Sequence, residues 1–424
     1  MPANAARRTC FGSFATIIGT TRADIIKGTK RRDVIIALGG RDFINGRGGD
    51  DLICGGRGMD AITGRGGNDM IDGGGGSDSI TGGTGTDLVR TGRGRLNFVS
   101  GDAGNDSLRG GPGIDVVDYF SARRPINADL GAGTAKGQGF DLFHRIDGIS
   151  GSQFGDSLTG DSGANVLIGG GGDDLLASGG NQASLDSPDS ASDSDILAGD
   201  GAGQGRDGDD LMTGGSGVTV LSFSGARSAV TVSLPDGTAT GEGRDTFNGI
   251  NVVIGSFFDD TLIGDDGDNA FQPLDGEDQV MGGEGRDVGV YTLALGVTID
   301  LTDGKTLGEG RDKLASIEDV WSSDFNDQID GDDNGNRIYA LGGSDRVAGH
   351  GGDDLLDGGT GLDSLNGGPD SDSCLAGEQI SECEDHDSVA PDSAVELLNE
   401  ISALRALAGP DHGGLVGLRA WRPR

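Results

Sequence analysis

The sequence predicts an all-β fold, a right-handed solenoid of short parallel strands, and three observations carry that prediction. A nine-residue phrase runs without a slip from Gly46 to Arg90: GRGGDDLIC, GGRGMDAIT, GRGGNDMID, GGGGSDSIT, GGTGTDLVR. Each phrase has aspartate at its sixth position and an apolar residue two places later, namely Ile53, Ile62, Ile71, Ile80 and Val89. Glycine supplies 85 of 424 residues while aromatic residues make up only 4%. A fixed period is the sequence mark of stacked coils. Glycine turns sharply because it takes φ > 0 without steric cost, so the first six positions form a turn. The last three form a short strand with one side chain facing in.

Two phrases make one coil, so turns on one edge come from residues 18 apart. Asp42, Asp60 and Asp78 are therefore expected to stack along one edge, and Asp51, Asp69 and Asp87 along the other. Turns of this kind point carboxylates and backbone carbonyls inward, and oxygen ligands of that sort suit calcium, a hard cation. The expected ligands are those six aspartates with the first and fourth residues of each phrase. These are Gly46 and Gly49, Gly55 and Gly58, Gly64 and Gly67, Gly73 and Gly76, and Gly82 and Gly85. Later phrases add Asp106, Asp115, Asp174, Asp210, Asp278, Asp287, Asp345, Asp354 and Asp363. One apolar side chain per nine residues makes a thin core, so bound Ca2+ must contribute to folding itself.

The phrases GGRGMDAIT (55–63), GGGGSDSIT (73–81), GGTGTDLVR (82–90), GGPGIDVVD (110–118) and GGTGLDSLN (358–366) resemble the RTX, or haemolysin-type, calcium-binding repeats. Degenerate forms extend the likeness from about residue 19 to 375. The resemblance implies a parallel β-roll with calcium in its glycine-rich turns.

Acidic residues outnumber basic ones by 69 to 32, a net charge of −37 that argues against nucleic acid and anionic membranes as partners. Disorder would explain the charge but not the register, and glycine does not recur every third residue as collagen requires. Cys10 and Cys54 bracket the first coils, and Cys374 and Cys383 the last, a placement that predicts a disulfide staple at each end. Disulfides imply an oxidising, extracellular setting. No apolar run long enough for a signal peptide or membrane span precedes the repeats.

In chain order, residues 1–18 read as an N-terminal leader or cap and 19–118 as the first repeat block. Within it, GTTRADIIK and GTKRRDVII put Arg22 and Arg31 in glycine slots, so Asp24 and Asp33 are expected to bind weakly or not at all. After Arg90 the phrase decays, with Leu96 in the aspartate slot and a one-residue slip at Ser100. Three longer units follow, each a spacer with repeats: 119–222, including a polar loop at 181–195, then 223–290 and 291–387. They carry equivalent aspartates at Asp141, Asp245 and Asp312, and again at Asp156, Asp260 and Asp327, and are expected to widen the solenoid locally. The tail, 388–424, opens with a capping box at Ser393 and Glu396 and reads as a short amphipathic helix.

Catalytic motifs fail on inspection. Gly155-Asp156-Ser157-Leu158 and Gly160-Asp161-Ser162-Gly163 look like hydrolase blocks, but both lie in repeat register. None of the four histidines belongs to an H-E-x-x-H motif, and there is no G-x-S-x-G elbow. The expectation is a non-enzymatic, secreted calcium-binding solenoid with a structural or interaction role. An accessory region of an extracellular hydrolase and a surface adhesin remain the alternatives. Beyond calcium ions, a cell-surface or polysaccharide ligand is left open.

Overall fold

The computed structural model describes residues 8–179, 195–200, 208–215, 217–377 and 379–383. The chain divides into two compact units, Met1–Gly179 and Gly180–Arg424. Both are all-β, and among the described residues there is no helix, hence none long and apolar enough to cross a membrane.

In the first unit, one parallel sheet takes Val34–Gly39, Leu52–Arg57, Met70–Gly75, Leu88–Arg90 and Ser107–Arg109. A second takes Ile25–Lys27, Phe43–Asn45, Ala61–Gly66, Ser79–Gly85, Leu96–Gly104 and Ile114–Asp118. The eighteen-residue register follows from the phrase. Ile35, Ile53, Ile71, Val89 and Leu108 form one column, each 0% exposed. Ile44, Ile62, Ile80 and Val99 form the other, buried nearly as fully. Burial of one branched side chain per strand, about 1.5–3 kcal/mol each, fixes which face turns inward.

The frame slip differs from expectation. Asn97, not Leu96, takes the aspartate slot, since the Asp78 N–H donates to Asn97 Oδ1 at 2.9 Å. Arg93 still bridges to Gly75 in the old register, so the extra residue lies between Arg93 and Asn97 rather than at Ser100. An amide oxygen can accept that hydrogen bond and a leucine cannot, which places the insertion.

The longer units lengthen the solenoid on one side rather than widening it. In the first, Asn127–Asp129, Thr134–Lys136 and Phe140–His144 form an antiparallel meander inside the first sheet. Its ends rejoin parallel neighbours at Ser107–Arg109 and Ser157–Thr159. The second sheet steps directly from Ile114–Asp118 to Gly148–Ser150. The second unit repeats this twice, with Thr231–Ser233, Thr238–Thr240 and Arg244–Asn248, then with Thr298–Asp300, Lys305–Leu307 and Lys313–Ala315. The alternating VTVSL and VTIDL runs supply those strands. The connecting segments carry buried side chains such as Tyr119 and Tyr291, and Tyr119 meets the first meander at Asp141 and Phe143.

Residues 9–14 fold back as a small hairpin, Thr9–Cys10 against Ser13–Phe14. Cys10 packs with Val34, Ile36 and Leu52 on the outer face of the first sheet, joined by Phe11, Cys54 and Met70. The two disulfides are Cys10–Cys54 and Cys374–Cys383. Of the expected polar loop 181–195 only Asp195 is described, opening the strand Asp195–Asp200. The tail 388–424 and its expected helix lie outside the described residues.

Candidate metal centres in the turns

The sixth-position aspartates form two ladders. On one edge of the first unit, the N–H groups of Asp24, Asp42 and Asp60 donate to Oδ1 of Asp42, Asp60 and Asp78 at 2.8–2.9 Å. On the other, those of Asp33, Asp51, Asp69 and Asp87 donate to Oδ1 of Asp51, Asp69, Asp87 and Asp106 at 2.7–2.8 Å. Each rung uses one carboxylate oxygen and leaves the second. Oδ2 of Asp42, Asp51, Asp60, Asp69, Asp78, Asp87 and Asp106 is buried and receives no hydrogen bond. The same holds for Asp278, Asp287, Asp345 and Asp354 in the second unit.

Burial is the main electrostatic consequence. It pushes Asp51, Asp78 and Asp106 up to about 7, and Asp60 and Asp87 up to about 6, against the rung hydrogen bonds that lower them. Neighbouring aspartates on the ladders add to the rise. A buried, unpaired carboxylate is costly unless a proton or a cation meets it.

The backbone shows what each turn position contributes. The fourth-position glycines Gly49, Gly58, Gly67, Gly76 and Gly85 have φ of 97–138°. The first-position glycines are needed for space instead: a Cβ on Gly46 would lie 2.5 Å from Asp51 Oδ2, and one on Gly55 2.8 Å from Asp60 Oδ2. The second position also has positive φ, at Leu38 (82°), Arg47 (79°) and Arg65 (78°), a strain that the residue types at this position do not announce.

A second class of turn closes on itself. At Asp24 and Asp33 the second-position N–H of Thr20 or Thr29 donates to the aspartate Oδ2 at 2.6 Å. Arg22 and Arg31 occupy the fourth position there and do not adopt positive φ. Asp156, Asp260 and Asp327 are closed by Ser152, Ser256 and Ser323, each through both its N–H and its hydroxyl. Asn165, Asn269 and Asn336 are closed by the N–H of Asp161, Asp265 and Asp332. Asp115, expected as a ligand, belongs to this class: Gly111 N–H donates to Oδ2 at 2.7 Å and Asn97 Nδ2 to Oδ1 at 2.8 Å. Part of the signal is present in the sequence: serine, threonine or aspartate stands at the second position of nearly every closed turn, although Asp102 stands there in the open turn of Asp106.

Other expected residues sit on rungs too. Oδ1 of Asp174 and Asp363 accepts the N–H of Asp156 and Asp345, and the Asp210 N–H donates to Asp245 Oδ1. Asp372, outside the expected ligand set, accepts the Asp354 N–H. Asp50, in the variable fifth position, accepts the Asn68 N–H at 2.8 Å, and Asn68 in turn accepts that of Thr86. A fifth-position ladder thus runs outside the aspartate ladder.

The open turns fit a hard cation: buried oxygen ligands recur one per turn, with no side-chain donor to neutralise them. Among the described residues no three acidic, histidine or cysteine side chains converge, so any such ion draws on carboxylate pairs plus backbone carbonyls. Fold and turns define an acidic, two-sheeted parallel β-solenoid with cation-type turns. The family model of the RTX calcium-binding nonapeptide repeat, four copies long, matches residues 18–53, 54–89, 82–117, 150–182, 204–221, 245–272, 321–356 and 349–380. Those segments cover more than half of the chain, which therefore belongs to the RTX calcium-binding repeat family and is a calcium-binding repeat protein. Three of the unmatched stretches, 118–149, 222–244 and 273–320, hold most of the three meanders. No curated protein matches the chain.

Proposed function

We propose that this chain is a secreted, non-enzymatic structural or interaction protein whose solenoid folds as its open turns take up many calcium ions. The observation that carries this reading is the file of buried aspartate Oδ2 atoms from Asp42 to Asp106 that receive no hydrogen bond. Calcium at these turns would be held by the sixth-position carboxylates and turn carbonyls, and would supply the positive charge that the buried oxygens lack. Two disulfides suit an oxidising compartment. A structural role for the hydrolase-like Gly155-Asp156-Ser157 is supported by the saturation of Asp156, which accepts from Ile126 and Ser152.

Circular dichroism with and without a chelator tests the reading. The β signal should fall when calcium is removed and return when it is restored. A spectrum indifferent to chelator would overturn the coupling of calcium to folding.

A further inference from the structure

The second and third meanders contain the same turn, Gly241-Glu242-Gly243-Arg244-Asp245 and Gly308-Glu309-Gly310-Arg311-Asp312, where the first has Gly137-Gln138-Gly139-Phe140-Asp141. The glutamate stands at the third position, to which the nonapeptide assigns no ligand. Among the described residues, Glu309 is the one carboxylate outside the sixth-position series with a buried oxygen, Oε2, that no donor reaches. Burial, with Asp275 and Asp312 nearby, pushes its carboxyl up to about 8.

Two further oxygens on this rung are buried without a hydrogen bond, Asp278 Oδ2 and Tyr291 Oη, each on a residue 0% exposed. The backbone brings the two carboxylate-bearing turns together: Gly276 N–H donates to the Glu309 carbonyl at 3.1 Å, and Gly276 bridges Gly310, two residues from Asp278 and one from Glu309. Both oxygens of Asp312 already accept a hydrogen bond. Its Oδ1 accepts the Asp278 N–H at 3.2 Å, and its Oδ2 accepts the Thr306 hydroxyl at 2.7 Å.

The first meander is the internal contrast. Ala135 stands where Thr306 does, and Tyr119 Oη donates to Asp141 Oδ2 at 2.7 Å. Gln138 replaces the glutamate, and with its amide turned to match its neighbours it donates to the Asp102 carbonyl (2.9 Å) and accepts from the Ala122 N–H (3.1 Å). That rung has a satisfied tyrosine and a neutral, satisfied third position. In the third meander the Thr306 hydroxyl takes the hydrogen bond to the aspartate Oδ2, and a carboxylate occupies the third position with one oxygen, Oε2, that no donor reaches.

We propose that the Asp278–Asp312 rung is a divalent-cation site of a second kind, in which Glu309 supplies the donor-free carboxylate oxygen that Asp312, hydrogen-bonded at both oxygens, does not. Asp278 provides the other carboxylate, and Tyr291 Oη with turn carbonyls completes an all-oxygen sphere of the sort calcium accepts. The choice of calcium rests on the reading of the open turns given above; the glutamate's part in the site does not.

Native mass spectrometry of the full chain, titrated with calcium, counts bound ions as integers. Glu309→Gln, which introduces the side chain the first meander carries, should saturate with one ion fewer than the parent chain. An unchanged count overturns the glutamate site while leaving the open-turn reading standing; no bound calcium on either chain overturns both. Should Glu309→Gln fail to fold, terbium substituted for calcium gives a second readout. Tyr291→Phe, a change that Phe223 of the second meander already makes, should remove a component of tyrosine-sensitised terbium emission. Emission identical to that of the parent chain would overturn the proposal.

Discussion

The coils carrying Asp51 to Asp106 and those carrying Asp260 and Asp327 use the same rung and neutralise it differently. In the first region every sixth-position aspartate oxygen beyond the rung bond is left without a donor. In the second, Ser256 and Ser323 wrap the carboxylate with an N–H and a hydroxyl. Nearby, Arg286 supplies a positive charge from the chain itself, holding Asp319 with two hydrogen bonds (2.6 and 2.8 Å) and the Gly335 carbonyl with a third. The fold therefore does not require an ion at every turn. It requires that each buried carboxylate be met, either by solute or by protein, and a serine, threonine or aspartate at the second position marks most of the turns that the protein meets itself.

The largest expected effect is on local opening. In excess chelator, hydrogen exchange over peptides spanning residues 46–106 should become fast, while those over 255–263 and 322–330 retain protection. Uniform exchange in both regions would break the comparison.

Acid should partly replace the ion. With folded, calcium-free values near 7 for Asp51, Asp78 and Asp106 and about 3.9 when unfolded, protons bind the fold preferentially. That stabilisation is fully present below about pH 4 and is lost as pH rises through the folded values. The calcium-free chain should therefore gain β signal on acidification from pH 7 toward 4, the reverse of ordinary acid denaturation. A signal that stays flat or falls over that range counts against the buried, unpaired carboxylates.

Asp51→Asn sharpens the sign. With calcium it should destabilise the first block by about 3–5 kcal/mol, as breaking a buried charge pair does, whereas in chelator it should stabilise, because a buried charge is gone. Asp50→Asn should stay within about 0.5 kcal/mol, since an amide oxygen can still accept the Asn68 N–H, as Asn68 accepts that of Thr86. Denaturant melts of the four combinations decide it; equal losses would mean the register is misassigned.

The smallest effect belongs to the closed turns. Ser256→Ala removes the hydroxyl bonded to Asp260 at 2.7 Å and should cost about 1.5–3 kcal/mol. The cost should be the same with and without calcium, and a calcium-dependent loss would show that this turn also binds an ion.

Much of this is legible in the sequence because the nine-residue period repeats one physical problem. The ladders through Asp42 to Asp78 and Asp51 to Asp87 follow from arithmetic on the phrase. What escapes depends on side chains meeting across coils. Asp115 looks like any ligand until Asn97, brought beside it by the inserted residue, donates to it. The outer ladder through Asp50 and Asn68 lies in positions the repeat leaves variable. The meanders cannot be assigned to one sheet from sequence, because VTVSL alternates equally well in a strand of either.

The N-terminal hairpin carries a consequence for solubility. Val34, Leu52, Met70 and Leu88 occupy successive rungs of one outward-facing column, in register at strand spacing. The hairpin, tethered by Cys10–Cys54, lies over the start of that column. Without that cover, a flat apolar strip on a highly charged molecule would be the kind of surface on which another sheet settles. The first disulfide therefore fixes a cover over the start of that apolar column.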